Sequence, residues 1–355
     1  MPTIAIDTFF ACSLMVILIL SAMVITSKIT YSWIYATEES ETIRRYRAVA
    51  EHIILATGNP IDWGGGREQP TAFGLAKHGQ EGTYNLDMDK VSRLNNENLY
   101  ALTYGQVFES LNMPGVSLRI EISPIFETKV DLARTVASTN EATYEFKVKT
   151  VKDECHYVPA WLQYYIVADG SIINSGVKCS DGVISFNVTI PYNVSGPALL
   201  VVLSKSVYDA RIVSFNVYSF QHADSEPKPK GSFMRLSPLN FTLYACTTNL
   251  ELSNLQAYAL TFNHAIKLEQ RASSALNTSY TIPRLYESSP IVLVVTGRTS
   301  TGPFIEWTVY PQIPVCIGVD YTSYTCLTNF YVYSYPVIIG SCVYQCKIWL
   351  GETAK

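Results

Sequence analysis

The sequence predicts an α+β protein. A long N-terminal α-helix, transmembrane over its first half, is followed by a β-sandwich (immunoglobulin-like) ectodomain in two β-rich units. Three observations carry this prediction. Residues Thr8 to Ser27 hold no charged side chain, and about 20 such residues are what a helix needs to cross a hydrocarbon core. From Val116 onward the chain alternates apolar and polar residues in short runs, the period of a half-buried strand. Between two such regions lies the polar, proline-bearing segment His222–Ser232, which reads as a linker.

The first 56 residues form the anchor helix. Beyond the uncharged run, Ile43, Tyr46, Val49, Ala50, Ile53 and Ile54 recur at helical spacing, opposite Arg44, Arg45, Arg47 and Glu51. Gly58-Asn59-Pro60 stops the helix. Residues 57–115 read as a loop and short-helix platform. Asp87 caps a helix running to Leu94, and a second helix spans Glu97 to Asn112, ahead of Pro114. Residues 116–221 form the first sandwich and 222–232 the linker. Residues 233–355 form a second β-rich domain, interrupted by a helical stretch from Leu252 to Arg271. ALLVVL, residues 198–203, has the unbroken apolarity of a strand buried on both faces.

Composition narrows the function. Of 355 residues, 48% are hydrophobic and only 16% charged, with 24 tyrosines and a net charge of -4. No basic stripe is present to meet a nucleic acid, so no nucleic-acid partner is expected. The five histidines are scattered, and Gly64-Gly65-Gly66 lacks the Lys-Ser or Lys-Thr of a phosphate loop. Nothing forms a catalytic constellation. We expect no enzyme activity, no cofactor and no metal site.

Eight cysteines are present, one of them, Cys12, in the apolar run. Cys155 with Cys179, and Cys316 with Cys326, are placed to bridge neighbouring strands, and Cys342 and Cys346 form a C-x3-C pair. Disulfides would suit an oxidising exterior. Four N-x-S/T sequons, at Asn187, Asn193, Asn240 and Asn277, are glycosylation candidates consistent with that exterior. The expected location is therefore the cell membrane, single-pass, with the β-rich part outside. Membrane lipid and copies of the same helix are the expected partners.

The N-terminus TIAIDTFFACSLMVILILSAMVI, the stretch Ala56–Gly64 (ATGNPIDWG), Phe73–Ala76 (FGLA) and Leu86–Val91 (LDMDKV) together resemble archaeal type IV pilin-like proteins with class III signals. The likeness covers roughly residues 3–115. It departs from the family before Thr3, where only Met1 and Pro2 stand in place of a basic cleavage site. The resemblance implies a surface structural protein, membrane-anchored or polymerised into a filament through its apolar helix. It also implies that Asp7 neutralises the terminal amine of a neighbouring subunit during assembly. Two other readings are a monomeric membrane-anchored adhesion protein and, further off, a membrane-tethered hydrolase.

Overall fold

The computed structural model describes residues 3–153, 156–223, 225–247, 252–274, 276–285, 290–300, 302–321 and 330–352. Within the first helix, side chains are described at 9, 11, 12, 14–28 and 41–55. The chain divides into two compact units, Met1–Ala50 and Glu51–Lys355.

Helix α1 runs from Thr3 to Leu55, 53 residues. Among the described residues no helix is long and apolar enough to cross a membrane. This corrects the transmembrane helix expected over Thr8–Ser27, and the single-pass membrane location falls with it. The expectation rested on length and the absence of charge alone.

The platform follows. Gly58, at φ +76°, turns the chain out of α1, and a Cβ there would lie 2.5 Å from the Ala72 carbonyl oxygen. At Gly74 a Cβ would lie 2.3 Å from the Ala56 carbonyl oxygen. These two glycines let the loop return against its own start. Strand β1 (Asn85–Leu86) precedes α2 (Met88–Ser92), where Asp87 Oδ1 caps by accepting from the Asp89 and Lys90 amides. Helix α3 (Tyr104–Leu111) opens with a Thr103/Gln106 capping box and ends on left-handed Asn112. It starts later than Glu97, where the sequence pattern put it. Asn95 and Asn98 accept from the Glu97 and Tyr100 amides, and such local bonds hold a turn in competition with helix.

The first sandwich begins after β2 (Val116–Pro124). It contains β3 (Glu127–Ala137), β4 (Glu141–Lys152), β5 (His156–Tyr157), β6 (Ala160–Ala168), β7 (Ser171–Ser180), β8 (Val183–Pro191), β9 (Ala198–Ser206) and β10 (Val213–Phe220). One sheet holds β3, β4, β5 and β8, the other β10-β9-β6-β7. The second sandwich contains β11 (Met234–Leu239), β12 (Thr242–Thr247), β13 (Ser253–Leu260), β14 (Ala265–Lys267), β15 (Glu269–Ser273), β16 (Asn277–Thr281), β17 (Ile291–Thr299) and β18 (Gly302–Tyr310). Its sheets are β11-β12-β16-β15 and β14-β13-β17-β18.

The two inner sheets stack face to face, so the strands fall in four layers with three apolar interiors. Leu200 and Val202 point into the first sandwich beside Phe146 and Ile166. Their neighbours Leu199, Val201 and Leu203 point the other way, onto Tyr258, Val292 and Val294. On β17, Ile291, Leu293 and Val295 face the second sandwich core with Leu243 and Phe304. Double burial explains why these strands lack alternation. It also explains β13, where the sequence suggested a helix. Ala257 and Ala259 enter one core while Tyr258 and Leu260 enter another, which hides the period of two.

The chain then returns to the platform through β19 (Val315–Gly318), β20 (Phe330–Ile339) and β21 (Cys342–Glu352). These join β1 and β2 in a sheet ordered β1-β20-β21-β2-β19, antiparallel except at β1. Thus β2, which continues in sequence into the first sandwich, pairs with the last strand of the chain.

No disulfide joins any two described cysteines, which corrects the expected bridges. Cys342 and Cys346 lie on one strand, roughly 13 Å apart at about 3.3 Å per residue, and a bridge needs Cα atoms within about 7 Å. Cys179 and Cys316 are exposed thiols; their expected partners, Cys155 and Cys326, lie outside the described residues. The cysteines therefore give no support to an oxidising location.

Candidate functional site

On α1 the seven successive residues Leu14–Leu20 are each between 49% and 64% exposed. At about 100° per residue they cover the whole circumference. The hydroxyls nearby do not interrupt this surface. Ser21 Oγ donates to the Leu18 carbonyl at 2.9 Å and Thr26 Oγ1 to the Ala22 carbonyl at 2.7 Å, returning both polar groups to the helix's own backbone. The Asp7 side chain, the assembly candidate, lies outside the described ones.

The four sequon asparagines are all exposed. Asn187 stands on β8 opposite Glu145, Asn193 in the loop after β8, and Asn277 at the start of β16. Asn240 occupies the β11–β12 turn at φ 45°, and its amide donates to Asp89 Oδ1.

The buried charges sit elsewhere, at positions the sequence did not mark as buried. Lys90 and Arg93, both at most 2% exposed, are spent on backbone carbonyls. Lys90 Nζ donates to Thr57 and Ala76, each at 2.8 Å, and Arg93 reaches Trp63, Glu68 and Tyr100. Burial lowers the pKa of both. Asp89 accepts from the Asn240 amide and the Tyr310 hydroxyl, tying the platform to the second sandwich; burial raises it to about 6. Glu306, 1% exposed, accepts the Gly231 and Phe233 amides at 2.7 and 2.8 Å, and burial raises its pKa too. A signal for Glu306 was present: it occupies the inward register of Phe304, Thr308 and Tyr310, where an acid must find donors. His222 is fully buried between Tyr144 Oη, 2.8 Å from Nδ1, and the Pro191 carbonyl. Lys90, Arg93 and Glu306 bind backbone, while Asp89 and His222 also meet the Tyr310 and Tyr144 hydroxyls. No cluster of three metal-ligating side chains occurs among the described residues.

Glu306 pins the linker, which is not a free tether. Lys230 lies 4.2 Å from the centroid of the Trp307 ring and pairs with Glu97 of the platform. Along this segment run two clefts of about 550 and 370 Å³. Both follow the same two strands: the first is lined by Ser219 of β10 with Pro303 and Ile305 of β18, the second by Phe215 and Trp307. β10 and β18 are the edge strands of the two stacked inner sheets.

No protein-family model matches this chain, and no curated protein does. Among solved structures, HBP35 of Porphyromonas gingivalis is similar over 52% of this chain and 63% of its own, at 13% identity and a TM-score of 0.20. Human GIVD cytosolic phospholipase A2 is similar over 69% of this chain and 34% of its own, at 9% identity and a TM-score of 0.13. The chain thus spans less than two thirds of either protein, and likenesses at these scores carry no argument about function.

Proposed function

We propose that this chain is a structural, non-enzymatic subunit of a multi-copy assembly, pilin-like in being polymerised through α1. One observation supports the reading above the others: the apolar surface of Leu14–Leu20 is open on every side. A helix apolar all round is stable in water only when it is enclosed. A dimer covers one face, whereas a bundle of several copies covers the circumference. Each such side chain contributes roughly 1.5–3 kcal/mol on full burial. By the family resemblance, Asp7 pairs with the terminal amine of a neighbouring copy.

Sedimentation of the full-length chain in detergent-free buffer tests this. We expect particles of many copies, dispersed by Leu18→Asp and weakened by Asp7→Ala, with unfolding of the β-rich unit unchanged. A full-length chain that sediments as a monomer would refute the proposal.

A further inference from the structure

We infer that β7 is a self-association edge, pairing antiparallel with β7 of a second copy of this chain about a two-fold axis through Val177. This rests on observations separate from α1. β7 ends the inner sheet β10-β9-β6-β7, and among the described residues no strand pairs with its outer side. It is ten residues long, and an open edge of that length presents a row of backbone donors and acceptors that another strand matches. The other three edges of the inner sheets are covered or short. β10 lies against β3, with Ser214 Oγ accepting from the Thr128 amide and Asn216 Nδ2 donating to the Thr128 carbonyl. β18 lies against β11, and β14 has three residues.

The face beside this edge is apolar and uncovered. Leu162, Tyr164 and Ile166 of β6 enter the first core. Trp161 and Gln163, with their β7 partners Cys179 and Val177, therefore face the other way. Further along, that face is roofed by the second sandwich: Tyr165 and Val167 pack there, and Tyr165 Oη donates to the Thr261 carbonyl. Trp161 and Val177 lie beyond the roof, 47% and 56% exposed. Register and charge choose the occupant. Past an irregularity between Ile172 and Asn174, β7 pairs regularly from Asn174 to Ser180, and Val177 is the middle residue of that stretch. A two-fold perpendicular to the sheet at this point sets Val177 against the partner's Val177, Ser175 against the partner's Cys179 and Gly176 against the partner's Lys178. The one charged side chain of β7 thus meets a residue with no side chain, and Trp161 of each copy stands on the row next to the paired valines. An axis at Lys178 would oppose two like charges.

Sedimentation of the full chain carrying Leu18→Asp, which breaks the α1 contact, isolates this edge. We expect a dimer at the concentration where the wild type forms large particles. In that background Val177→Lys places two ammonium groups at the axis and should weaken the dimer at least about tenfold, and Val177→Glu should do the same with two carboxylates. Both should keep the thermal midpoint of the Leu18→Asp parent, since the site is exposed. Mixing the Lys and Glu variants should restore the dimer, which a damaged strand would not do. Should either variant shift the midpoint, Ser175→Cys carries the test. Under diamide its new thiol should bridge to the exposed thiol of the partner's Cys179, identified by peptide mapping. Opposed residues lie about 4.5–5.5 Å apart between Cα atoms, within disulfide reach, while positions 175 and 179 of one strand are roughly 13 Å apart. The inference is overturned by a monomeric Leu18→Asp chain, by a dimer indifferent to Val177→Lys, by a Lys and Glu mixture that stays monomeric, or by a bridge that maps elsewhere. A wild type that sediments as this dimer alone would count against assembly through α1 and leave the β7 edge standing. Large wild-type particles beside a Leu18→Asp monomer would do the reverse.

Discussion

Two runs in this chain are nearly indistinguishable as text: Leu14–Leu20 of α1 and Ala198–Leu203 of β9. Both are unbroken apolar residues. The β9 run is covered on both sides by the chain itself, with Leu200 facing one core and Leu199 and Val201 facing another. The α1 run is covered by nothing within the described residues and stands at least 49% exposed. The difference teaches that apolarity fixes how much surface must leave water, while topology decides which molecule removes it. A strand has neighbours in its own sheet and layers above and below. A lone helix has none of its own.

The largest expected effect sharpens this contrast from the interior side. Leu200→Ala removes a fully buried side chain and should cost about 2–5 kcal/mol of stability in chemical denaturation. Its sedimentation should be unchanged, the inverse of Leu18→Asp. Equal effects of the two substitutions on unfolding would erase the distinction. Next comes Gly74→Ala, where the new Cβ meets the Ala56 carbonyl oxygen. The loop has to shift, at about 1–3 kcal/mol by thermal unfolding, again without loss of assembly.

The smallest effect is a pH dependence. Burial lifts Asp89 from an ordinary carboxylate value to about 6. The folded chain therefore holds this proton more tightly than the unfolded one. The stability it contributes is full below about pH 4 and declines as pH rises through about 6. Asp89→Asn keeps an oxygen to accept from Asn240 and Tyr310 but cannot ionise. It should flatten that decline and be the more stable protein at neutral pH, by about 1–2 kcal/mol. A variant less stable than wild type at pH 7 would show that the ionised carboxylate is needed.

Much of the β architecture was legible because single-faced strands such as β4 and β8 alternate cleanly, and because ALLVVL announces double burial. The Asp87 cap was legible for the same reason that caps work: an acceptor placed two and three residues before amides that need one. What stayed hidden was pairing across sequence. Nothing in β2 marks β21 as its partner, and nothing in β13 separates a two-faced strand from a helix, since both show apolar residues at most positions. The transmembrane reading came from length and lack of charge alone, and the described side chains of α1 do not bear it out. The ordered linker was missed because its anchors, Glu306 and Glu97, lie far from it in sequence, and the groove beside it was missed with it.

The pairing of β2 with β21 and of β1 with β20 has a consequence for synthesis. Both sandwiches are emitted whole before β19, β20 and β21 leave the ribosome. The sheet at the foot of α1 cannot close until they do. A chain cut between Gly318 and Cys342 would carry two finished sandwiches and a sheet in which β2 lacks its neighbour β21. Closure of this sheet therefore waits on strands synthesised after both sandwiches.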